Sequence, residues 1–254
     1  MSYLKNLFGL EGKTAIVTGA SRGLGRAAAV ALGNAGASVV LVGRDAEALQ
    51  ETGSAIQNDF WIAEKADVTN RSEMVSVVDK TLERFSGIDI LVNNAGIIRR
   101  APAIDFTEDD WNAVIDTNLN AVFNWAQAVG RLMVEQGSGK IINTASLMSF
   151  SGGLNVAAYS AAKGGVGQLT KALANEWAKY NVQVNAIAPG YFKTNATAAL
   201  RANDERAQQI LSRIPAGRWG EPDDLAGAFL MLASKASDYM SGHLLVVDGG
   251  FLSY

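Results

Sequence analysis

Near its start the chain reads Lys13-Thr-Ala-Ile-Val-Thr18-Gly19-Ala-Ser-Arg-Gly23-Leu-Gly25. The apolar, β-branched part predicts a buried strand, and an Ala-rich pattern over 26–34 predicts a helix beyond the glycines. Glycines let a backbone approach a pyrophosphate, and a helix N-terminus offers N–H groups and a positive dipole end. The spacing is G-x-x-x-G-x-G, and a turn that merely needs flexible glycines is the alternative. The strand, turn and helix together favour a nucleotide-binding unit.

The alternation of strand and helix continues along the chain. Further strands are predicted at 38–43, 60–65, 89–93, 140–144, 182–188 and 243–247. Helices are predicted at 45–57, 70–85, 108–135, 155–180, 204–213 and 221–234. Right-handed β-α-β crossovers then give an α/β Rossmann fold, a doubly wound parallel sheet of about seven strands with helices on both faces. Since no linker or repeat divides the chain, we expect 1–254 to form a single domain.

Charge and hydropathy exclude several classes of partner. The net charge is −3, from 22 Lys and Arg against 25 Asp and Glu, and no basic cluster is present. Nucleic acid is therefore not expected as a partner. No apolar run reaches the ~18 residues of a transmembrane helix, so no membrane partner is expected. The first eight residues are too short and too polar for a signal peptide, which favours a cytoplasmic protein.

Cysteine and histidine usage narrows the chemistry. The chain has no cysteine and one histidine, His243. Disulfides, thiolate nucleophiles and Cys- or His-rich metal sites are thereby excluded, and a Ser-His-Asp triad is improbable. No metal site is predicted.

Two arginines bear on the choice of nucleotide. Arg44 follows the second strand, and Arg22 lies in the glycine turn. Together they offer two cations where the 2′-phosphate of NADP(H) would sit, so NADP(H) is the favoured cofactor. Asp45 is an acid in the place from which a ribose 2′-hydroxyl is often bound, so NAD(H) stays possible. Solvated surface arginines are the alternative.

Polar or small residues also follow the later strands. Asp67, beside Val68, suits an adenine amino group, or caps the helix at 70–85, and both roles are compatible. Asn94-Ala95-Gly96 suits close packing over a cofactor, with a plain polar turn as the alternative. After the sixth strand, Pro189 fixes its φ angle and Gly190 allows a close approach of the backbone. Thr194 could donate a hydrogen bond to a cofactor amide.

A tyrosine and a lysine stand one helical turn apart in Tyr159-Ser-Ala-Ala-Lys163. Residues i and i+4 share a helix face, and a nearby cation lowers the pKa of a phenol, which suits Tyr159 to acid–base work. Ser146 follows the fifth strand, where open parallel sheets bind ligands. Asn118 interrupts an apolar helix face, so its amide pins neighbouring backbone or orders a water beside Lys163, and the two roles are compatible. An interfacial tyrosine beside a solvated lysine is the alternative.

These motifs in this order resemble the short-chain dehydrogenase/reductase family over essentially the whole chain. The resemblance implies that Tyr159 is the general acid/base and that Lys163 binds the nicotinamide ribose and lowers the Tyr159 pKa. It implies that Ser146 binds the substrate oxygen and that Asn118 holds a relay water. It assigns cofactor binding to Gly19, Ser21, Arg22, Gly23, Leu24, Gly25, Arg44, Asp67, Val68, Asn94, Ala95, Gly96, Tyr159, Lys163, Pro189, Gly190 and Thr194. Relatives of this kind imply a homotetramer.

Segments 93–100, 173–179, 186–191 and 213–220 resemble the sugar-acid dehydrogenases of that family. A carboxylate substrate needs cations or amides, and 195–218 is the expected substrate lid. The substrate candidates are Arg99, Arg100, Ser146, Asn155, Tyr191 and Arg218. A 3-oxoacyl-carrier-protein reductase is a second possibility, although no concentrated basic docking surface is visible. A nucleotide-binding regulator without catalysis is a third.

Overall fold

The computed structural model describes residues 3–253 and contains one sheet in which all paired strands are parallel. The strands are β1 (Thr14–Thr18), β2 (Ser38–Gly43), β3 (Trp61–Lys65), β4 (Ile90–Asn93), β5 (Gly139–Thr144), β6 (Val182–Pro189) and β7 (Leu244–Val247). Their order is β3-β2-β1-β4-β5-β6-β7, which confirms the predicted doubly wound sheet. The strand order reverses between β1 and β4, so a crevice opens there at the carboxyl ends.

Ten α-helices connect and flank the described strands. They are α1 (Tyr3–Phe8), α2 (Gly23–Asn34), α3 (Ala46–Ser54), α4 (Arg71–Phe85), α5 (Glu108–Ile115), α6 (Ala121–Gln136), α7 (Ala157–Trp177), α8 (Ala198–Arg201), α9 (Asp204–Leu211) and α10 (Ala226–Ala233). Across residues 3–253, no helix has the length and apolar content needed to span a bilayer.

Hydrophobic cores cover both faces of the sheet. Alternate strand residues point to opposite faces, so Ala15 and Val17 join Leu32 and Phe229 on one side. Ile16 joins a second cluster on the other side, with Trp125 and Met133 of α6 among its members. Burial on both faces explains why the strands read as continuous apolar runs.

Several predicted helix limits were wrong for local reasons. Helix α2 begins at Gly23, inside the glycine turn, and not at residue 26. The predicted helix 108–135 is interrupted by a π turn over Asp116–Asn120. The helix predicted at 221–234 begins as a 3-10 turn, Pro222–Leu225. Helix α4 is capped by Asn70, whose side chain accepts from the amides of residues 72 and 73, so Asp67 is not its cap.

Candidate active site

Two adjoining depressions open at the carboxyl ends of the strands. The first, called the groove, has a volume of about 910 Å³ and follows the turns after β1, β2, β3 and β4. The second, called the cavity, has a volume of about 420 Å³ and lies between the segments after β5 and β6. Their common wall consists of Leu24, Ile98, Arg100, Thr144, Tyr159, Thr194 and Ala196.

The glycine turn forms one end of the groove and leaves no room for side chains. Gly19 has φ +67°, and a Cβ there would lie 2.8 Å from the Ala95 Cα. A Cβ on Gly25 would lie 2.2 Å from the carbonyl oxygen of Gly19. The first turn of α2 receives no side-chain cap, unlike α3, α4, α5 and α9, which are capped by Asp45, Asn70, Thr107 and Asn203. Uncapped amides beside a glycine-lined groove are suited to an anion.

A network at the switch point fixes this turn against β4. The Thr18 hydroxyl accepts from the amides of Asn94 at 3.0 Å and Ala95 at 3.2 Å. The Asn94 side chain donates to the carbonyls of Thr18 and Gly19, both at 3.2 Å. The side-chain amide of Asn94 therefore holds the turn, while Asn94, Ala95 and Gly96 all line the groove. The part played by Thr18 was not predicted from the sequence.

The arginines at the far end of the groove already face carboxylates. Arg22 donates to Asp45 at 2.9 Å, and Arg44 lies 3.9 Å from Asp67. Asp45 also caps α3 by accepting from the Ala48 amide at 3.2 Å. Ser21, Asp67 and Val68 line the same groove. A backbone hydrogen bond from Thr69 is the main cause that holds the pKa of Asp67 below its usual value.

Lys163 lies buried under the groove. Its ammonium donates to the Thr144 carbonyl and lies 5.8 Å from the centroid of the Tyr159 ring. Burial lowers the pKa of Lys163 to about 8, because the desolvated ammonium is costly. The hydroxyl of Ser149 donates to the Lys163 carbonyl at 2.6 Å and also accepts from the amide of Ser146. Ser146 is buried and lines the cavity.

The expected lowering of the Tyr159 pKa is not what this structure gives. Burial raises the pKa of Tyr159 above its ordinary value, and this effect outweighs a hydrogen bond with Ser146 and the charge of Arg100. The sequence argument considered the neighbouring cation and left out desolvation, which penalises the phenolate. Tyr159 therefore holds its proton at neutral pH in this state.

Asn118 lies fully buried in the π turn. Its side chain accepts from the Ile97 amide at 2.8 Å and donates to the Ile97 carbonyl at 2.7 Å. These bonds are the predicted pinning of neighbouring backbone, a role compatible with the ordering of a water beside Lys163. The pinned segment follows Gly96, where a Cβ would lie 2.8 Å from the Asn118 Oδ1. π turns are rare and frequently occur at functional sites.

The structure brings only part of the predicted substrate set together. Arg100, Ser146 and Tyr191 line the cavity, and Arg99 lines the groove while pairing with Asp110 at 3.1 Å. Two candidates are corrected, since neither lines the cavity or the groove: Asn155 and Arg218.

Both corrected candidates are engaged elsewhere. Asn155 has φ +60°, and its carbonyl accepts from the Ala101 amide. Arg218 makes two hydrogen bonds to Asp224, at 2.6 and 3.0 Å. The first contact engages only the main chain of Asn155, whereas the second holds the Arg218 guanidinium on Asp224.

The segment after β6 passes along the cavity. Thr194 lines both depressions, whereas Pro189 and Gly190 line the cavity and not the groove. Gly190 allows a close approach, but the group that approaches it is the backbone of Asp248. A Cβ at residue 190 would lie 2.6 Å from the Asp248 Cα. Its glycine is therefore explained by packing against the turn after β7.

The sequence analysis missed several cavity residues, among them Thr144, Arg206 and Arg213. Arg206 and Arg213 line the cavity from the lid, and Thr144 lines its common wall with the groove. The Thr144 hydroxyl is buried and has no hydrogen-bond partner within residues 3–253. Arg213 lies in the segment 213–220 that resembles the sugar-acid dehydrogenases, at the end of the helix predicted at 204–213. That position was the signal in the sequence that could have identified it.

Comparison with known proteins places the chain in a family. Residues 19–252 match the short-chain dehydrogenase model described as enoyl-(acyl carrier protein) reductase. The chain belongs to the short-chain dehydrogenase/reductase family. It is 48% identical to the 2-dehydro-3-deoxy-D-gluconate 5-dehydrogenase of Dickeya dadantii, with 98% of each chain covered.

Two solved structures extend the comparison. A protein of Agrobacterium tumefaciens, provisionally named 2-deoxy-D-gluconate 3-dehydrogenase and solved with bound NADP, is 50% identical. Its TM-score is 0.91, with 98% of this chain and 100% of that chain covered. A gluconate 5-dehydrogenase of Burkholderia cenocepacia, in complex with NADP and tartrate, is 41% identical with a TM-score of 0.94. There the coverage is 99% of this chain and 100% of that chain.

Proposed function

We propose that the chain is an NADP(H)-preferring oxidoreductase that interconverts a secondary alcohol and a ketone on a sugar acid. The substrate type is that of 2-dehydro-3-deoxy-D-gluconate 5-dehydrogenase or 2-deoxy-D-gluconate 3-dehydrogenase, after the names of similar proteins. One observation carries the proposal: Tyr159 belongs to the wall shared by the groove and the cavity. A nucleotide in the groove and a ketone in the cavity would meet at its phenol.

A single dinucleotide would find contacts along the whole groove. The glycine turn and the uncapped amides of α2 would hold the pyrophosphate, and Asp67 with Val68 would flank the adenine. Arg22 and Arg44 would bind the 2′-phosphate, and Lys163 would bind the nicotinamide ribose. Pro189, Gly190 and Thr194 would meet the carboxamide. When bound, the nicotinamide supplies or accepts the hydride.

The proton is the part of the reaction that this chain supplies. In the reducing direction, Tyr159 would give its proton to the ketone oxygen while hydride adds to the carbonyl carbon. Its raised pKa keeps the phenol protonated until that moment. Ser146 would donate a hydrogen bond to the same oxygen. Asn118 and Lys163 would order the water that returns a proton to Tyr159.

Other functions receive less support. A gluconate 5-dehydrogenase is the second candidate, favoured by the Burkholderia cenocepacia structure. The matching family description names an acyl-carrier-protein reductase. A thioester ketone brings no carboxylate to the cavity, whose three charged lining residues are all arginines. A regulator without catalysis would not require Ser146, Tyr159 and Lys163 to meet.

We also propose a cytoplasmic homotetramer. Large apolar side chains stay exposed on α5 and α6, with Trp111 at 40% and Phe123 at 38%, which favours their burial against further copies. The absence of cysteine fits a reducing compartment. Light scattering of the purified chain at micromolar concentration should give the mass of four copies, and a monomer would contradict the assembly.

A spectrophotometric screen at 340 nm tests the activity. The protein would receive NADP+ or NAD+ with 2-dehydro-3-deoxy-D-gluconate, 2-deoxy-D-gluconate and D-gluconate, and NADPH or NADH with 5-keto-D-gluconate. We expect turnover on at least one sugar acid, faster with the phosphorylated nucleotide. No turnover on any of them, with intact NADPH binding, would overturn the sugar-acid assignment.

A further inference from the structure

All the charged side chains that line the cavity are arginines. They are Arg100, Arg206 and Arg213, and no Asp, Glu or Lys contributes to the lining. Arg206 and Arg213 belong to the segment after β6, whereas Arg100 follows β4. A small cavity with three cations of one type is suited to an anionic ligand, since guanidinium groups bind carboxylates bidentately.

None of these three arginines faces a carboxylate within residues 3–253. Arg100 donates to the Ala196 carbonyl at 3.2 Å, and Arg206 donates to the Gln209 side chain at 3.0 Å. Arg213 stacks over the Phe251 ring, with 4.2 Å between its central carbon and the ring centroid. By contrast, Arg99 and Arg218 each form an ion pair with a carboxylate of this chain. The cavity arginines keep their charge uncompensated.

The position of Arg213 is fixed by the packing around it. Its neighbour Ile214 is buried in a cluster with Ile210, Trp219 and Phe251. The guanidinium carbon lies over the Phe251 ring, and the Arg213 side chain makes no hydrogen bond within residues 3–253, so its N–H groups are available to a ligand. The lid thus presents a pre-positioned donor group, and ordering this side chain costs little on binding.

Arg100 and the lid arginines lie at different distances from the reacting centre. Arg100 belongs, with Tyr159, to the wall shared by the groove and the cavity, whereas Arg206 and Arg213 line the cavity alone. The lid arginines therefore lie on the part of the cavity away from the shared wall. A carboxylate held by them would be separated from the ketone by several carbons.

We infer that Arg206 and Arg213 form a carboxylate clamp at the lid end of the cavity. This inference rests on the proposed function for the identity of the ligand as a sugar acid. It adds that the reacting ketone is remote from the carboxylate, as in a 5-keto acid, and not adjacent to it, as in a 2-keto acid.

The test compares an acid with its neutral amide. Calorimetry on the protein saturated with NADPH would give dissociation constants for D-gluconate and D-gluconamide. Wild type should bind gluconate about tenfold or more tightly than the amide, as expected for a charge-assisted contact. In Arg206→Met/Arg213→Met this preference should fall to about twofold or less. Arg213→Lys should keep part of it, because the charge remains.

Arg218→Met is the matched control, since it removes an equal charge from the same segment outside the cavity. Its preference for gluconate should equal that of wild type. A wild type without preference, or a double variant that keeps it, would overturn the clamp. Preference lost in the double variant without turnover in the 340 nm screen would leave the clamp standing and remove the proposed reaction. Turnover with an unchanged preference would do the reverse.

Discussion

The groove and the cavity both carry arginines, but over the part of the chain that the structure describes the groove arginines are paired with carboxylates and the lid arginines of the cavity are not. In the groove, Arg22 and Arg44 lie 2.9 and 3.9 Å from Asp45 and Asp67. In the cavity, Arg206 and Arg213 have no carboxylate partner within residues 3–253. A phosphate in the groove must replace an existing partner, whereas a carboxylate in the cavity meets free donors. We therefore expect the same residue type to give a moderate preference in the groove and a strong requirement in the cavity.

The two depressions also differ in construction. The groove is built from short turns that follow strands and are held by hydrogen bonds between side chains and the main chain, as between Thr18 and Asn94. The cavity is closed by lid side chains packed on Phe251. Changes in the groove should therefore affect folding as well as binding, and changes in the cavity should affect binding alone.

The largest effect is expected at the shared wall. Tyr159→Phe removes the proton donor and keeps the aromatic ring, so kcat should fall by about 10²–10⁴. NADPH binding, followed by nucleotide fluorescence, should change less than twofold. Tyr180→Phe, just beyond the same helix, is the control and should keep wild-type kcat. Substantial turnover in Tyr159→Phe would remove the assigned role.

A pair of glycine variants tests how tightly the groove is built. Gly25→Ala places a Cβ 2.2 Å from the Gly19 carbonyl oxygen, a backbone contact that cannot rotate away. The free energy of unfolding should fall by about 3 kcal/mol. Gly23→Ala has its nearest contact at 3.4 Å but φ +56°, so a loss of about 1 kcal/mol is expected. Urea denaturation measures both, and equal losses would contradict the close-approach argument.

Arg44→Asp tests the choice of nucleotide. The ratio of kcat/KM for NADPH over NADH should fall about 10- to 100-fold, because a phosphate contact is replaced by repulsion. Arg99→Asp, a paired arginine elsewhere along the groove, should leave that ratio within about threefold. If the two variants behave alike, Arg44 is only a surface charge.

The last prediction concerns the buried lysine. Because burial lowers the folded-state pKa of Lys163 from 10.5 to about 8, the folded state binds fewer protons than the unfolded state between those pH values. Stability relative to Lys163→Met should therefore rise with pH, by about 2 kcal/mol from pH 7 to 9.5. Denaturation of both proteins at the two pH values measures it. A flat difference would mean that Lys163 titrates normally.

The fold and the groove were predictable because their signals are local. Apolar runs marked all seven strands to within one residue, and groove residues such as Gly19 and Asp67 directly follow strands. Which lid residues line the cavity depends on the path of the chain between residues 195 and 218. Gly217, with φ +68°, lies in the turn that separates Arg213 from Arg218. No spacing in the sequence says that only the first faces the cavity.

Two further features needed the structure itself. The pKa of Tyr159 depends on desolvation by surrounding atoms, which the helical spacing to Lys163 does not contain. The π turn at Asp116–Asn120 has no residue that breaks a helix, so the pattern of apolar residues gave one long helix. Both errors arise from three-dimensional surroundings and not from misread motifs.

The π turn also sets the rotational phase of helix α6. Each α-helical residue advances the direction of its side chain by about 100°, and a π turn holds one extra residue. Val114 before it packs on α7, while Trp125 and Met133 after it pack on the sheet. Removing one residue between 116 and 120 would rotate α6 by about 100° and turn Trp125 away from the core. The number of residues between Val114 and Trp125 therefore cannot change by even one without rotating α6, whereas surface loops usually tolerate insertions and deletions.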